Sequence, residues 1–303
     1  MLALIEGGEA VAPEMVGSKR NVEEPDRDPP AGGPRARPGG ALVLIGGHED
    51  KEGAREILRD VVARAAGRPI VVATVASDVA GELWVEYERV FRALGAAEVS
   101  HLDIAQRGDA GEARWLGMLE GAGCVFFTGG DQLKITSKLG GSRLADAICA
   151  VYRRGGTIAG TSAGASVMSE TMLVGGAGEE SAKVRGAVRM APGLGLVRDL
   201  LVDQHFAQRG RLGRLLGAVA HNPRLLGIGI DEDTAAVIEP DRRLRALGTG
   251  AVYVVDARNL SHTNIGEEEG DRVLSLFDVR LHVLSAGDSF DLESGRPACG
   301  QPR

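Results

Sequence analysis

Gly160-Thr161-Ser162-Ala163-Gly164 is a Gly-x-Ser-x-Gly segment, and its surroundings suit the chemistry that such a segment serves. Upstream, Tyr152 to Gly156 closes a helical pattern and Thr157-Ile158-Ala159 reads as a short buried strand; downstream, Ala165 to Thr171 reads as helix. A serine on so sharp a strand-to-helix turn projects from the carboxyl end of a sheet, and glycines on both sides relieve the crowding. The helix behind it offers unpaired backbone N–H groups to a developing oxyanion. That is the local chemistry of a serine hydrolase.

A serine hydroxyl is a poor nucleophile until a base takes its proton, and histidine is the usual base near neutral pH. Of the six histidines, His205 has the most telling place: it closes the apolar Leu200-Leu201-Val202 segment and opens a turn. A surface-loop histidine ahead of a basic helix would show the same spacing. A carboxylate must then fix the imidazole tautomer. Gly227-Ile228-Gly229-Ile230 reads as another strand and ends in Asp231, Glu232 and Asp233, among which spacing does not choose. His48-Glu49-Asp50 and this acidic triplet lack the spacings of zinc or calcium loops. Gly175-Gly176 and Gly193-Leu194-Gly195 form no dinucleotide fingerprint. No metal or other cofactor is therefore expected.

The rest of the chain must position these groups. Its 303 residues, 44% hydrophobic and 25% charged, are ample for one sizeable core. A net charge of −7 without a basic stripe argues against nucleic acid, and 4% aromatics leaves little for base stacking. Three cysteines without Cys-x-x-Cys spacing fit a reducing, cytoplasmic setting. No signal-like segment opens the chain, and no run approaches the ~20 apolar residues that span a bilayer.

Residues 1–40 are rich in proline, glycine and charge and are expected to be a disordered extension. A flexible tail is expected over 293–303, with a single α/β domain over 41–292. Within it, apolar strands (42–45, 70–75, 99–104, 124–127, 157–159) alternate with helices (49–66, 82–94, 112–120 and one that Ser142 would cap). Strands apolar throughout and followed by helices imply a mainly parallel sheet flanked by helices on both faces. In such sheets, sites form at the carboxyl ends of strands. From Asp231 onward, short strands at 235–238, 251–255 and 273–284 predict an antiparallel C-terminal addition.

Four segments taken together resemble the cyanophycinase family. They are Thr128-Gly129-Gly130-Asp131-Gln132-Leu133, Gly160 to Ala165, Asp203-Gln204-His205-Phe206 with Gln208 to Arg214, and Gly229 to Ala235. The likeness runs from about Leu42 to Leu284, and the N-terminal extension lies outside it. That family is a group of serine exopeptidases related to bacterial aspartyl dipeptidase. The resemblance implies hydrolysis of cyanophycin, a poly-aspartate backbone with arginine on each side-chain carboxyl, into β-Asp-Arg dipeptides. It implies Ser162 as nucleophile, His205 as base and Glu232 as the acid, an order distinct from that of α/β-hydrolases. It also implies a homodimer. Serine at position 162 sets aside amidotransferases of similar elbow, which carry cysteine. Two rivals remain, a related peptidase of other aspartyl or isoaspartyl peptides and a non-catalytic binding module of the same fold.

Consecutive substrate carboxylates would suit Arg209, Arg211 and Arg214, since guanidinium groups bind carboxylates bidentately. By spacing alone, Arg211 and Arg214 would be an ordinary solvated basic face. Gln132 and Gln204 are expected to hydrogen-bond the substrate. Asp203, Glu170, Glu179 and Glu180 are the acids available for the substrate's guanidinium. The backbone N–H of Ala163 and one from Gly129-Gly130, taken as Gly130, are expected to hold the oxyanion. Residues 175–181 are expected to form a mobile loop over the site.

Overall fold

The computed structural model describes residues 39–175, 188–266 and 272–300. The first half alternates strand and helix: β1 Leu42–Ile45, α1 Glu56–Ala65, β2 Ile70–Ala73, α2 Ala80–Ala93, β3 Val99–Leu102, α3 Ala113–Glu120, β4 Cys124–Phe127, α4 Gln132–Leu139, α5 Arg143–Arg153 and β5 Thr157–Thr161. Successive side chains of a strand point to opposite faces, so a strand that is apolar throughout needs cover on both. Leu42 and Leu44 accordingly enter one core with Leu119, Ile135, Leu144 and Ile148 of α3 to α5. Val43 and Ile45 enter another with Ile57, Leu58 and Val61 of α1 and Tyr87 and Phe91 of α2. Each side chain fully buried this way contributes about 1.5–3 kcal/mol. Asp131 and Ser142 cap α4 and α5, accepting from Leu133 N at 2.8 Å and Ala145 N at 3.2 Å.

The second half runs α6 Ala163–Ser166, β6 Thr171–Gly175, β7 Arg189–Pro192, β8 Leu200–Gln204, α7 Leu212–His221, β9 Leu226–Ile230, β10 Thr234–Ile238, β11 Arg243–Gly248, β12 Val252–Asp256, β13 His262–Thr263, β14 Leu276–Phe277, β15 Arg280–Leu284, β16 Ser289–Asp291 and β17 Arg296–Ala298. Among the described residues the main sheet has nine strands in the order β17-β16-β11-β10-β1-β5-β4-β2-β3. β1 to β5 are mutually parallel where they pair, and β10 joins β1 antiparallel. The mainly parallel sheet, with helices on both faces and an antiparallel addition, is therefore present.

Several local expectations are corrected. β8 and β9 do not join the main sheet; they form a second, four-stranded sheet, β15-β12-β9-β8. One of its faces adds Leu200, Val202, Ile228 and Val254 to the main core, and Leu201 and Val255 on the other pack under α7. The helix expected from Glu49 starts at Glu56, because the Asp50 carboxylate accepts from the N–H groups of Glu52, Gly53 and Arg55 and holds a turn instead. The helix expected over 165–171 stops at Ser166, and β6 pairs with β7 from Thr171. The strand over 273–284 is broken at Asp278, which takes a φ of 60°. The tail expected over 293–303 is structured to residue 300, with β17 paired to β16. Gly40, placed in the extension by composition, donates from its N–H to Tyr152 O at 2.7 Å. Residues 1–38 and the rest of the 175–181 loop beyond Gly175, with Glu179 and Glu180, lie outside the described residues.

Candidate active site

The carboxyl ends of β1, β4, β5, β8 and β9 converge. Ser162 follows β5 with φ 52° and ψ −111°, outside the regions open to a residue with a Cβ, at a cost on the order of 1–3 kcal/mol. The turn closes because Gly160 and Gly164 pack backbone to backbone; a Cβ on Gly160 would lie 2.5 Å from Gly164 O. Ser162 N donates to Ile45 O at 2.9 Å, which ties the elbow to the end of β1.

His205 follows β8, also left-handed at φ 48°, and its N–H donates to Gly46 O at 2.9 Å. Its Nε2 lies 2.9 Å from Ser162 Oγ and its Nδ1 2.7 Å from Glu232 Oε1. These partners set the tautomer: the proton sits on Nδ1, facing the carboxylate, and Nε2 accepts from the hydroxyl. Gly47 is glycine for this ring, because a Cβ there would stand 2.2 Å from His205 Cε1. The three acids after β9 separate by their partners. Asp231 accepts from the N–H groups of Ala207 at 2.9 Å and Ala251 at 3.1 Å, and Asp233 accepts from Asp50 N at 2.8 Å. Glu232 is the one directed at the imidazole.

Burial pushes the pKa of His205 below its ordinary value, and the positive charge of Arg209 adds to this against the hydrogen bond His205 donates to Glu232. For Glu232, burial acts upward, but the hydrogen bond to His205 and the nearby His48, His205 and Arg209 outweigh it and hold the carboxyl low. A lowered histidine pKa keeps the neutral imidazole populated further into acid. With His205 acting as the base, the acid limb of kcat/KM, which reports the free enzyme, is expected to have its midpoint below about 6.5. A midpoint above that value in a pH–rate profile would contradict the environment described for His205.

The expected substrate-binding set divides. Arg209 is exposed beside His205. Asp203, Gln204, Arg211 and Arg214 are instead buried together. Arg214 Nε donates to Asp203 Oδ2 at 2.9 Å, and its second guanidinium contact is to Oδ1. Arg211 Nη1 reaches Asp203 Oδ1 at 3.2 Å, Gln204 O at 2.6 Å and Gln204 Oε1 at 2.9 Å. Arg211 and Arg214 are thus no solvated basic face, and both oxygens of Asp203 are engaged by them rather than offered to a substrate guanidinium. Removing one member of a buried ion cluster strands the others, so Asp203→Ala is expected to destabilise the fold by about 3–5 kcal/mol in denaturant titration. A change under 1 kcal/mol would mean the cluster is solvated.

Gln132, half-buried at the start of α4, donates through Nε2 to Leu173 O at 2.6 Å. Glu170 is largely exposed, 4.0 Å from Arg198. Ala163 starts α6 directly after Ser162, and a Cβ on Gly129 would come 3.6 Å from Ser162 Cβ, with Gly130 next at φ 140°.

Sequence spacing gives two further groups no role beyond setting them aside as metal ligands. Glu49 is buried, accepts from Thr161 Oγ1 at 2.6 Å and from the Tyr87 hydroxyl, and so anchors the residue before the elbow serine. His48 stands against Glu232, its Nδ1 3.2 Å from Oε2. Both follow the carboxyl end of the apolar strand at 42–45, where sites are expected to form.

Residues 42–245 match the model of peptidase family S51. A cyanophycinase of Trichormus variabilis is 43% identical over 255 residues, 83% of this chain and 85% of the relative. One of Synechococcus elongatus is 40% identical over 261 residues, 84% and 80% of the two chains, and one of Geminocystis herdmanii 36% over 266 residues, 86% and 96%. Among solved structures, a peptidase from an acI-B1 Actinobacterium superposes with a TM-score of 0.65 at 22% identity over 85% of this chain and 98% of that one, a likeness of fold.

Proposed function

The chain belongs to peptidase family S51 and is a serine-type peptidase, and on that premise we propose that it is an exopeptidase of cyanophycin, releasing β-Asp-Arg dipeptides. The observation that carries this reading is the unbroken line of hydrogen bonds from Ser162 Oγ through His205 to Glu232. In this reading Ser162 Oγ attacks an aspartyl main-chain carbonyl while His205 Nε2 takes its proton. Glu232 stabilises the imidazolium that results. The N–H groups of Ala163 and Gly130 receive the oxyanion. His205 then returns the proton to the leaving amine, and a water activated by the same base hydrolyses the acyl-enzyme.

An acidic substrate is supported by Arg209, which is exposed next to the base and near enough for its charge to act on both His205 and Glu232. Gln132, at the start of α4 beyond the end of β4, serves the substrate backbone. Buried Arg211 and Arg214 hold Asp203 and Gln204 at the end of β8, the strand that His205 follows. We place the enzyme in the cytoplasm, where its free cysteines would stay reduced, and read it as a homodimer. Edge strand β15 exposes Leu281 and Val283 beside Phe277, a surface that a second copy would cover. Among the described residues no helix is long and apolar enough to cross a membrane.

The test is an assay on insoluble cyanophycin with the product identified by mass. β-Asp-Arg is expected. Cleavage of other isoaspartyl peptides with cyanophycin untouched would transfer the activity to a related peptidase, and cleavage of neither would leave a binding module.

A further inference from the structure

His48 is not needed for the proton transfer just described, yet it completes a distinct constellation. Its Nδ1 is 3.2 Å from Glu232 Oε2, while His205 Nδ1 is 2.7 Å from Oε1, so two imidazoles face one carboxylate from either side. The rings meet edge to face, centroids 5.3 Å apart and planes at 83°. One ligand atom from each of His48, His205 and Glu232 lies within 4.8 Å of the other two. Two histidines and a carboxylate with a position left open is the donor set of many zinc centres. Tetrahedral bonds of about 2.0–2.2 Å put ligand atoms roughly 3.3–3.6 Å apart, so small side-chain rotations would admit an ion.

The three donors come from three strand ends, but the backbone holds those ends together. His205 N donates to Gly46 O and Asp233 N to Gly47 O, each at 2.9 Å, and Asp50 N donates to Asp233 Oδ1 at 2.8 Å. His48 is held left-handed at φ 49° between them. Its side chain is 75% exposed while that of His205 is 5% exposed, which gives an ion an approach from solvent towards a partly enclosed site.

We propose that His48, His205 and Glu232 reversibly bind a zinc-class divalent cation and that the bound ion switches the peptidase off. The ion takes the Nδ1 lone pair of His205. The single ring proton, which sits on Nδ1 in the metal-free enzyme, passes through solvent to Nε2 as the ion binds, so Nε2 faces Ser162 Oγ as a donor and has no lone pair to accept the serine proton. The switch rests on the reading of His205 as base; the binding does not.

The experiment separates the two. Chelator-treated Ser162→Ala protein, which keeps all three donors and needs no turnover, is titrated with Zn²⁺ by calorimetry and with Co²⁺ by visible absorption. Binding of one ion per chain is expected, with a Co²⁺ spectrum free of thiolate charge transfer, since exposed Cys299 is a competing ligand. His48→Asn removes one donor while tolerating the left-handed backbone. It is expected to weaken binding by about tenfold or more and, in the active enzyme, to raise the Zn²⁺ concentration for half-inhibition by the same factor, each variant referred to its own metal-free rate. Should His48→Asn misfold, Glu232→Gln in the Ser162→Ala background tests the binding by the same readouts. Absent binding, a thiolate spectrum, or affinity unchanged in the His48 variant would overturn the site. Binding to active enzyme without inhibition would overturn the switch.

Discussion

Ser162→Ala is expected to lower kcat on cyanophycin by on the order of a million-fold while the protein stays folded. Removing the nucleophile of a triad costs nearly as much as removing the whole triad, because the three groups act as a unit. Stability is expected to change little. Alanine keeps the Cβ and therefore the strain of the elbow, and it gives up one half-buried hydrogen bond to His205, a loss of about 1 kcal/mol. Ser162→Gly separates the two roles of the residue. It removes the nucleophile and also relieves a φ of 52°, so it is expected to be equally inactive but more stable by about 1–2 kcal/mol. Rates by product release and melting curves on the three proteins decide the matter, and turnover by purified Ser162→Ala would end the mechanism.

The second large effect is that of Glu232→Gln, expected to lower kcat by about ten thousand-fold. An amide in place of the carboxylate no longer fixes the proton on His205 Nδ1 and cannot stabilise the imidazolium. The neighbouring acids give the contrast. Asp231 accepts two backbone N–H groups and Asp233 pins Asp50, so Asp231→Asn and Asp233→Asn are expected to depress the melting temperature more than kcat. If Asp231→Asn instead matched Glu232→Gln in lost activity at unchanged stability, the acid would have been assigned to the wrong residue.

These contrasts also mark what the chain reveals without coordinates. Strands apolar on both faces announce a covered, mainly parallel sheet, and the ends of β1, β4, β5, β8 and β9 are legible because glycines or acids stop the apolar runs. What stays hidden depends on partners distant in sequence. Arg211 and Arg214 sit at a spacing that suits a solvated helix face, and only the buried Asp203 explains why they turn inward. Spacing leaves Asp231, Glu232 and Asp233 equivalent, whereas in the fold two of them hold backbone N–H groups and one faces the imidazole. Glu49 looks like the first residue of a helix until Thr161, 112 residues on, supplies its hydrogen bond. β8 and β9 carry the same apolar pattern as the main-sheet strands, and nothing local says that they form a separate sheet. The tail after Glu293 has the composition of a flexible end but finds a strand to pair with in β16.

The central claim is that Ser162 is a nucleophile activated by His205 and Glu232, and covalent trapping tests it most directly. Protein treated with a serine-directed phosphonate and digested for mass mapping is expected to carry a single adduct, on Ser162, with loss of activity proportional to labelling and slower labelling in Glu232→Gln. An adduct on another serine that tracks the loss of activity, or full turnover by protein labelled at Ser162, would contradict the account.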